Sequence, residues 1–142
     1  MDTNEALVIF KPESYKEPKL YNEILKRLKG RFKIRAMWPK IADIESLRTF
    51  SLSDEYVGAK FLCTIVQSID KSSTLEVVKE VIGRVSDPKK CMLGSIRRDL
   101  GGDQDLLLYS TTVDEVVTQI GIWRPIFITA VQDGYGDGYG KS

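Results

Sequence analysis

ALVIFKPESY, residues 6–15, decides how this chain begins to fold. Ala6 to Phe10 is an unbroken apolar run rich in β-branched and aromatic side chains, the composition of a buried strand. Pro12 has no N–H to give to a ladder, so the strand ends at or before Lys11. Lys11 therefore stands at a strand exit, where the sheet holds the backbone rigid and the loop exposes the side chain. That is a place for a binding cation, and the plain alternative is a solvated lysine.

Outward from this strand, Leu20, Ile24 and Leu28 recur four apart with charges elsewhere on the wheel, which predicts an amphipathic helix over Pro18 to Leu28, ended by Gly30. FKIRAMW, residues 32–38, alternates apolar with basic and predicts a strand with one wet face, running until Pro39. Asp43 is placed to cap a short helix through Ile44, Leu47 and Phe50, and Ser51 to Lys60 carries no clear pattern. FLCTIVQSI, residues 61–69, is the clearest further strand. Ser73 with Glu76 forms a capping-box signature for a helix over Ser73 to Val85, and Thr112 with Glu115 repeats it for a helix over Val113 to Ile120. Between them lie a loop from Pro88 to Gly102, with one helical turn at Ser95 to Leu100, and a strand over Leu106 to Tyr109; Ile126 to Val131 adds a last edge strand.

This order is the split β-α-β pattern of a ferredoxin-like sandwich: an α+β fold with a four-stranded antiparallel sheet and helices on one face. Residues 1–132 make one domain. DGYGDGYGKS, residues 133–142, has no aliphatic side chain to pack and reads as a disordered tail, the alternative being stacking of Tyr135 and Tyr139 on a neighbour.

The composition narrows the function. With 142 residues, 42% of them hydrophobic, the chain holds one ordinary core, and a formal net charge of +1 with no block of like charge argues against a membrane surface or a specific nucleic acid as partner. The basic stretches, Lys26 to Arg35 and Lys89 to Arg98, are too dilute to predict a duplex footprint. Cys63 and Cys91 lie far apart without metal-ligand spacing, and histidine is absent, so no metal site is expected. The missing histidine also removes the usual neutral-pH acid, base and phosphoryl acceptor. No run approaches a membrane span and the start lacks a signal-peptide pattern, so the expected setting is the cytoplasm.

In this topology the loop after the first strand approaches the loop before the strand at Leu106, which brings Lys11 toward Arg84, Arg97 and Arg98. A mobile ammonium with planar guanidinium forks suits a di- or triphosphate. The competing reading has Arg84 completing its helix's C-terminal dipole and Arg98 facing solvent.

At these residues the sequence resembles the nucleoside diphosphate kinase family. The resemblance rests on ALVIFKPES at the strand, on EILKRLKGRFKI, on IGRV, on GSIRRDL and on QIGIW, in order from Glu5 to about Pro125. It implies the family's ferredoxin-like fold, a homo-oligomer, a nucleoside di- or triphosphate as partner, and Mg²⁺ accompanying the nucleotide as the only cofactor. Residue by residue it makes Lys11 a phosphate contact, Arg84 a contact to the nucleotide's phosphates, and Arg97 the arginine nearest the transferred phosphoryl group.

The departures concern the chemistry. The family's phosphoryl-accepting histidine falls at Tyr109 in one register and at Leu108 when counted back from IGIW. Leucine has no nucleophile, and tyrosine, with an ordinary pKa near 10, forms an ester that is a poor phosphoryl donor. The asparagine for the ribose falls at Leu106 in the first register, and the glutamate that orients the histidine falls at Gln119. The loop between Arg84 and Arg97 is short and lacks the family's threonine, and the hairpin that supplies a base platform is largely deleted, leaving Phe50 or Tyr56. Three readings stay open: a non-catalytic nucleotide or polyphosphate-binding module, an interaction or assembly module that keeps only the fold, and a Mg²⁺-assisted phosphoryl-transfer or hydrolysis enzyme without a phosphohistidine. In the last, Asp99, Asp103 and Asp105 supply metal contacts or a base unless they are turn formers.

Overall fold

A computed structural model describes residues 4–70, 72–102 and 104–124. Its sheet has four strands in the order β2-β3-β1-β4, with every neighbouring pair antiparallel. β1 is Ala6–Phe10, β2 is Phe32–Ile41, β3 is Lys60–Ser68 and β4 is Leu107–Tyr109. All five residues of β1 are fully buried, because this strand lies inside the sheet and is covered on both faces.

Alternate residues of the strands feed two cores. Ala6, Val8, Phe10, Val66, Leu107 and Tyr109 meet Ile24 and Leu28 of helix α2 (Pro18–Arg31) and Val77, Val78 and Ile82 of α4 (Thr74–Ile82). Leu7, Ile9, Trp38, Cys63 and Leu108 meet Leu47 of α3 (Ile44–Arg48) and Trp123 of α6 (Val113–Trp123). The helices therefore cover both faces of the sheet, not one as the sequence pattern implied. The remaining helical pieces are α1 (Pro12–Tyr15) and α5 (Ile96–Leu100), with 3-10 turns at Asp54–Tyr56 and Pro88–Lys90. No helix among the described residues is long and apolar enough to cross a membrane.

Several boundaries move for physical reasons. Gly30 does not end α2, which continues to Arg31 and closes when the Phe32 N–H bonds to the Leu28 carbonyl. β2 runs through Pro39 to Ile41 because it is an edge strand, where a residue without N–H costs no ladder bond on the open side. The α4 helix spans less than Ser73 to Val85, since Gly83 leaves it at φ +127°. Ser73 sits at the N-cap without a side-chain bond; Asn4 supplies that cap, its Oδ1 accepting from Thr74 N at 2.9 Å. Thr112 does cap α6, but Glu115 reaches back to Thr111 and not to Thr112, and Gly121 lies inside the helix, which extends to Trp123. Asp43 caps α3 in a reciprocal pair with Ser46, as its position predicted. The strand expected at Ile126 to Val131 and the tail from Asp133 lie outside the described residues.

Candidate functional site

Four segments meet at the end of the sheet where β1 gives way to Lys11. The Lys11 N–H donates to the Leu106 carbonyl at 3.0 Å, tying the strand exit to the segment that leads into β4. Asp105 precedes that bond, Arg97 rises from α5, and Gly83 closes α4. The folded chain thus brings Lys11 and Arg97 to one end of the sheet, on either side of Asp105, whose carboxyl feels both cations.

Arg97 is 6% exposed and wholly committed to the protein. Its Nε donates to Asp105 Oδ1 at 2.8 Å and its Nη2 to Asp105 Oδ2 at 3.3 Å; Nη2 also reaches the Leu107 carbonyl at 2.9 Å, and Nη1 the carbonyls of Gly83 and Val85 at 2.8 and 3.1 Å. A guanidinium has five N–H donors, and here all five have protein acceptors. The group also lies 5.0 Å from the centre of the Tyr109 ring. The expectation of an open arginine aimed at a phosphoryl group thus meets a side chain spent on tertiary structure, because Asp105, read in the sequence as a turn former or metal ligand, answers it.

Lys11 is half-buried, with its ammonium 5.3 Å from the centre of the Tyr56 ring. The Tyr56 hydroxyl donates to Glu13 Oε2, so the ring is pinned over the lysine. Glu13 Oε1 is buried and has no hydrogen-bond partner. Tyr56 packs edge-on against Phe61, and Phe50 edge-on against Trp123, so both aromatic candidates for a base platform are built into the second core.

Arg84 is exposed and turns back along α4, its Nη2 3.6 Å from Glu76 Oε1. Arg98 is exposed, as the competing reading had it, and donates to the carbonyls of Lys89 at 2.8 Å and Cys91 at 3.4 Å, stitching the loop before α5. Asp99 accepts from Arg27 at 2.9 Å and from Gly94 N at 3.1 Å, and Asp103 lies outside the described residues. Among the described residues no three His, Cys, Asp or Glu side chains stand close enough to hold a metal ion.

The two histidine registers differ by face. Leu108 lies in the second core, on the side of the sheet that α6 covers, and α6 carries Gln119; Tyr109 lies in the first core, toward α4. Gln119 is buried, its Oε1 accepting from the Ser110 hydroxyl and its Nε2 donating to the Thr49 carbonyl at 3.3 Å. The Tyr109 hydroxyl donates to the Gly83 carbonyl at 2.7 Å. Burial pushes its phenol above the ordinary tyrosine value, further from any nucleophilic form at neutral pH. Burial likewise raises Asp105, the pull of Arg97 and Lys11 only partly offsetting it, and raises Tyr56, with the Glu13 hydrogen bond adding to the effect.

Sequence reasoning missed Glu13, Asp105 as the partner of Arg97, and Gly83. Gly83 alone carried a signal, the IGR step after an apolar helix. A Cβ at Gly83 would stand 2.7 Å from Cys91 Sγ and 3.1 Å from Arg97 Cβ, so glycine is required there by space as well as by φ.

In sequence, no family model matches the chain and no curated protein matches it. In structure it is similar to a nucleoside diphosphate kinase family protein from Babesia bovis, with TM-score 0.68 and 16% identity over 84% of this chain and 86% of that one. It is also similar to the apo nucleoside diphosphate kinase of Encephalitozoon cuniculi, with TM-score 0.70 and 19% identity over 87% and 90%. A third similar structure is the Borrelia burgdorferi enzyme, a transition-state mimic with bound vanadate and ADP, with TM-score 0.66 and 18% identity over 86% and 87%. The chain has a nucleoside diphosphate kinase-like α+β fold.

Proposed function

We propose that this chain is a non-catalytic member of its fold that serves as an interaction or assembly module. The observation that carries this reading is Arg97, whose five N–H groups are all taken by acceptors of the same chain. Binding a phosphate there would require breaking a buried, bidentate ion pair, a change that leaves Asp105 uncompensated. The phosphoryl relay has no acceptor either: the chain contains no histidine, Leu108 stands on the Gln119 side of the sheet, and Tyr109 is bonded away from it.

A second reading, binding of a nucleotide or another polyphosphate without chemistry, is favoured by Lys11, whose ammonium stands over the Tyr56 ring at the strand exit. In that case Lys11 and Arg84 carry the phosphates, Arg97 only shapes the site, and Mg²⁺ arrives as the nucleotide's own counter-ion.

Thermal unfolding with 1 mM concentrations of nucleoside mono-, di- and triphosphates, with and without Mg²⁺, separates the two. A ligand with Kd near ~10 μM at that concentration adds about 2.7 kcal/mol of stability, which raises Tm by roughly 8–10 °C in a chain of this size. The module reading expects no shift beyond that of inorganic salt. A nucleotide shift abolished by Lys11→Ala moves the assignment to the second reading, and steady γ-phosphate transfer to a diphosphate overturns both.

A further inference from the structure

A second concave surface lies beside the Lys11 end, on the α4 side of the sheet. The last turn of α4 and the loop that follows enclose about 540 Å³, lined by Lys79, Arg84 and Lys90 as cations and by Val85, Met92 and Leu93 as apolar side chains; Glu80 is the one carboxylate on its wall. Met92 is 83% exposed and Leu93 79%, an adjacent apolar pair standing out from a loop that Arg98, Asp99 and Cys91 otherwise hold down. Lys79 and Arg84 reach the same carboxylate, Glu76, at 3.1 and 3.6 Å, so one acid answers two bases. The surface is net positive and apolar at its centre, and its complement is an acidic segment bearing flat apolar side chains.

The chain carries such a segment. DGYGDGYG, residues 133–140, repeats an aspartate two residues before a tyrosine, twice, with glycine between. We propose that Asp133 to Gly140 docks in cis on this cleft, the rings of Tyr135 and Tyr139 on Val85, Met92 and Leu93 and the two aspartates toward Arg84, Lys79 and Lys90. A thioether beside an aromatic ring and a guanidinium over one are both favourable contacts, and both partners are present on the cleft.

Reach permits it. The Trp123 ring packs 5.3 Å from the centre of Phe61, next to Leu62, which pairs with Phe10. Phe10 pairs in turn with Leu107, whose carbonyl is bonded to Arg97, and Arg97 reaches Gly83 and Val85 at the cleft. The last described residues and the cleft therefore share one end of the sheet on its opposite faces, so the connecting residues have to round the sheet at that end. Residues 125–132 intervene, and eight residues extend up to roughly 26 Å, against a radius of gyration of about 14 Å for a domain of this length. Ordering four glycines is entropically costly, so the docked state is weak and depends on the high local concentration that covalent attachment provides.

The test compares methyl NMR spectra of the full chain with those of the full-length Y135S/Y139S variant. Ring-current shifts at the Met92 and Leu93 methyls are expected in the parent and absent in the variant, unchanged on dilution. Adding the peptide DGYGDGYG to the Y135S/Y139S chain should move the same methyls in the same direction, and R84E/K90E should weaken that peptide about fivefold at low salt, as expected for two exposed ion pairs. Identical methyl positions in parent and variant overturn the proposal, as does a peptide effect mapping elsewhere or an equal effect from a peptide with serine for tyrosine. Shifts that vanish on dilution overturn docking in cis and assign the segment to a second copy. Because all four substituted residues are surface or tail positions, an unchanged Tm in each variant serves as the folding control.

Discussion

Arg97 and Asp105 hold each other side-on, Nε against Oδ1 at 2.8 Å and Nη2 against Oδ2 at 3.3 Å, and three backbone carbonyls take the remaining guanidinium protons. Arg97→Ala leaves Asp105 as an uncompensated half-buried charge beside unpaired carbonyls. The expected loss is about 3–5 kcal/mol, read as a fall in Tm of roughly 10–15 °C. Lys11→Ala, at a half-buried side chain stacked on one ring, should cost at most about 1 kcal/mol. Urea unfolding of the two variants decides it, and equal stability would show that Arg97 is not the structural member of the pair.

Gly83 and Gly94 both have positive φ, +127° and +93°, but only Gly83 has neighbours where a Cβ would stand. Gly94→Ala should cost about 1 kcal/mol from backbone conformation alone. Gly83→Ala adds the clash with Cys91 Sγ and with the Arg97 stem, for a total of roughly 2–4 kcal/mol. Denaturant midpoints of the two variants give the difference directly.

Asp99 joins α5 to α2 through Arg27, and that guanidinium, with the Gly94 N–H, holds its carboxyl below the ordinary aspartate value of 3.8. A depressed folded-state pKa means stability present above pH 3.8 and lost as pH falls through the folded value. Glu115 and Asp43, which accept backbone N–H bonds, act in the same sense. Tm should therefore drop as pH is lowered below about 4, and Asp99→Asn should make that drop shallower. A variant whose acid profile matches the parent's would remove Asp99 from the account.

Cys63 is fully buried on β3, and burial pushes its thiol up to about 12. At neutral pH it should resist a thiol-specific reagent in the native protein and react at once in denaturant. Rapid labelling of native Cys63, located by mass spectrometry, would contradict the packing of the second core.

Much of the sheet was legible because its signals are local. The unbroken apolar run at residues 6–10 and the largely apolar stretch at residues 61–69 specified the two inner strands, and Asp43 and Thr112 marked helix starts by chemistry that needs no distant partner. What escaped was decided across the chain. Nothing near Ser73 shows that Asn4 takes over its capping role, and nothing near Pro39 shows that its strand lies at an edge. The surroundings of the candidate site were decided across the chain as well. The sequence supplies Arg97 and Asp105 eight residues apart, but whether the fork is open to a ligand or closed on its own chain depends on Gly83 and Val85 arriving from the end of α4 and Leu107 from β4.

The placement of β1 carries a consequence for synthesis and folding. This strand sits between β3 and β4, so both its ladders wait for later chain: Thr64 bonds to Val8 across 56 residues, and β4 follows only after α5. Until β3 is made, five consecutive apolar residues have two open edges, and until β4 is made they keep one. Non-local pairing of this kind slows folding, and a nascent or truncated chain that stops before Leu107 presents Ala6–Phe10 with one edge unsatisfied. Such fragments are a natural seed for aggregation, and the short strand β4, only three residues long, is the piece that removes the hazard.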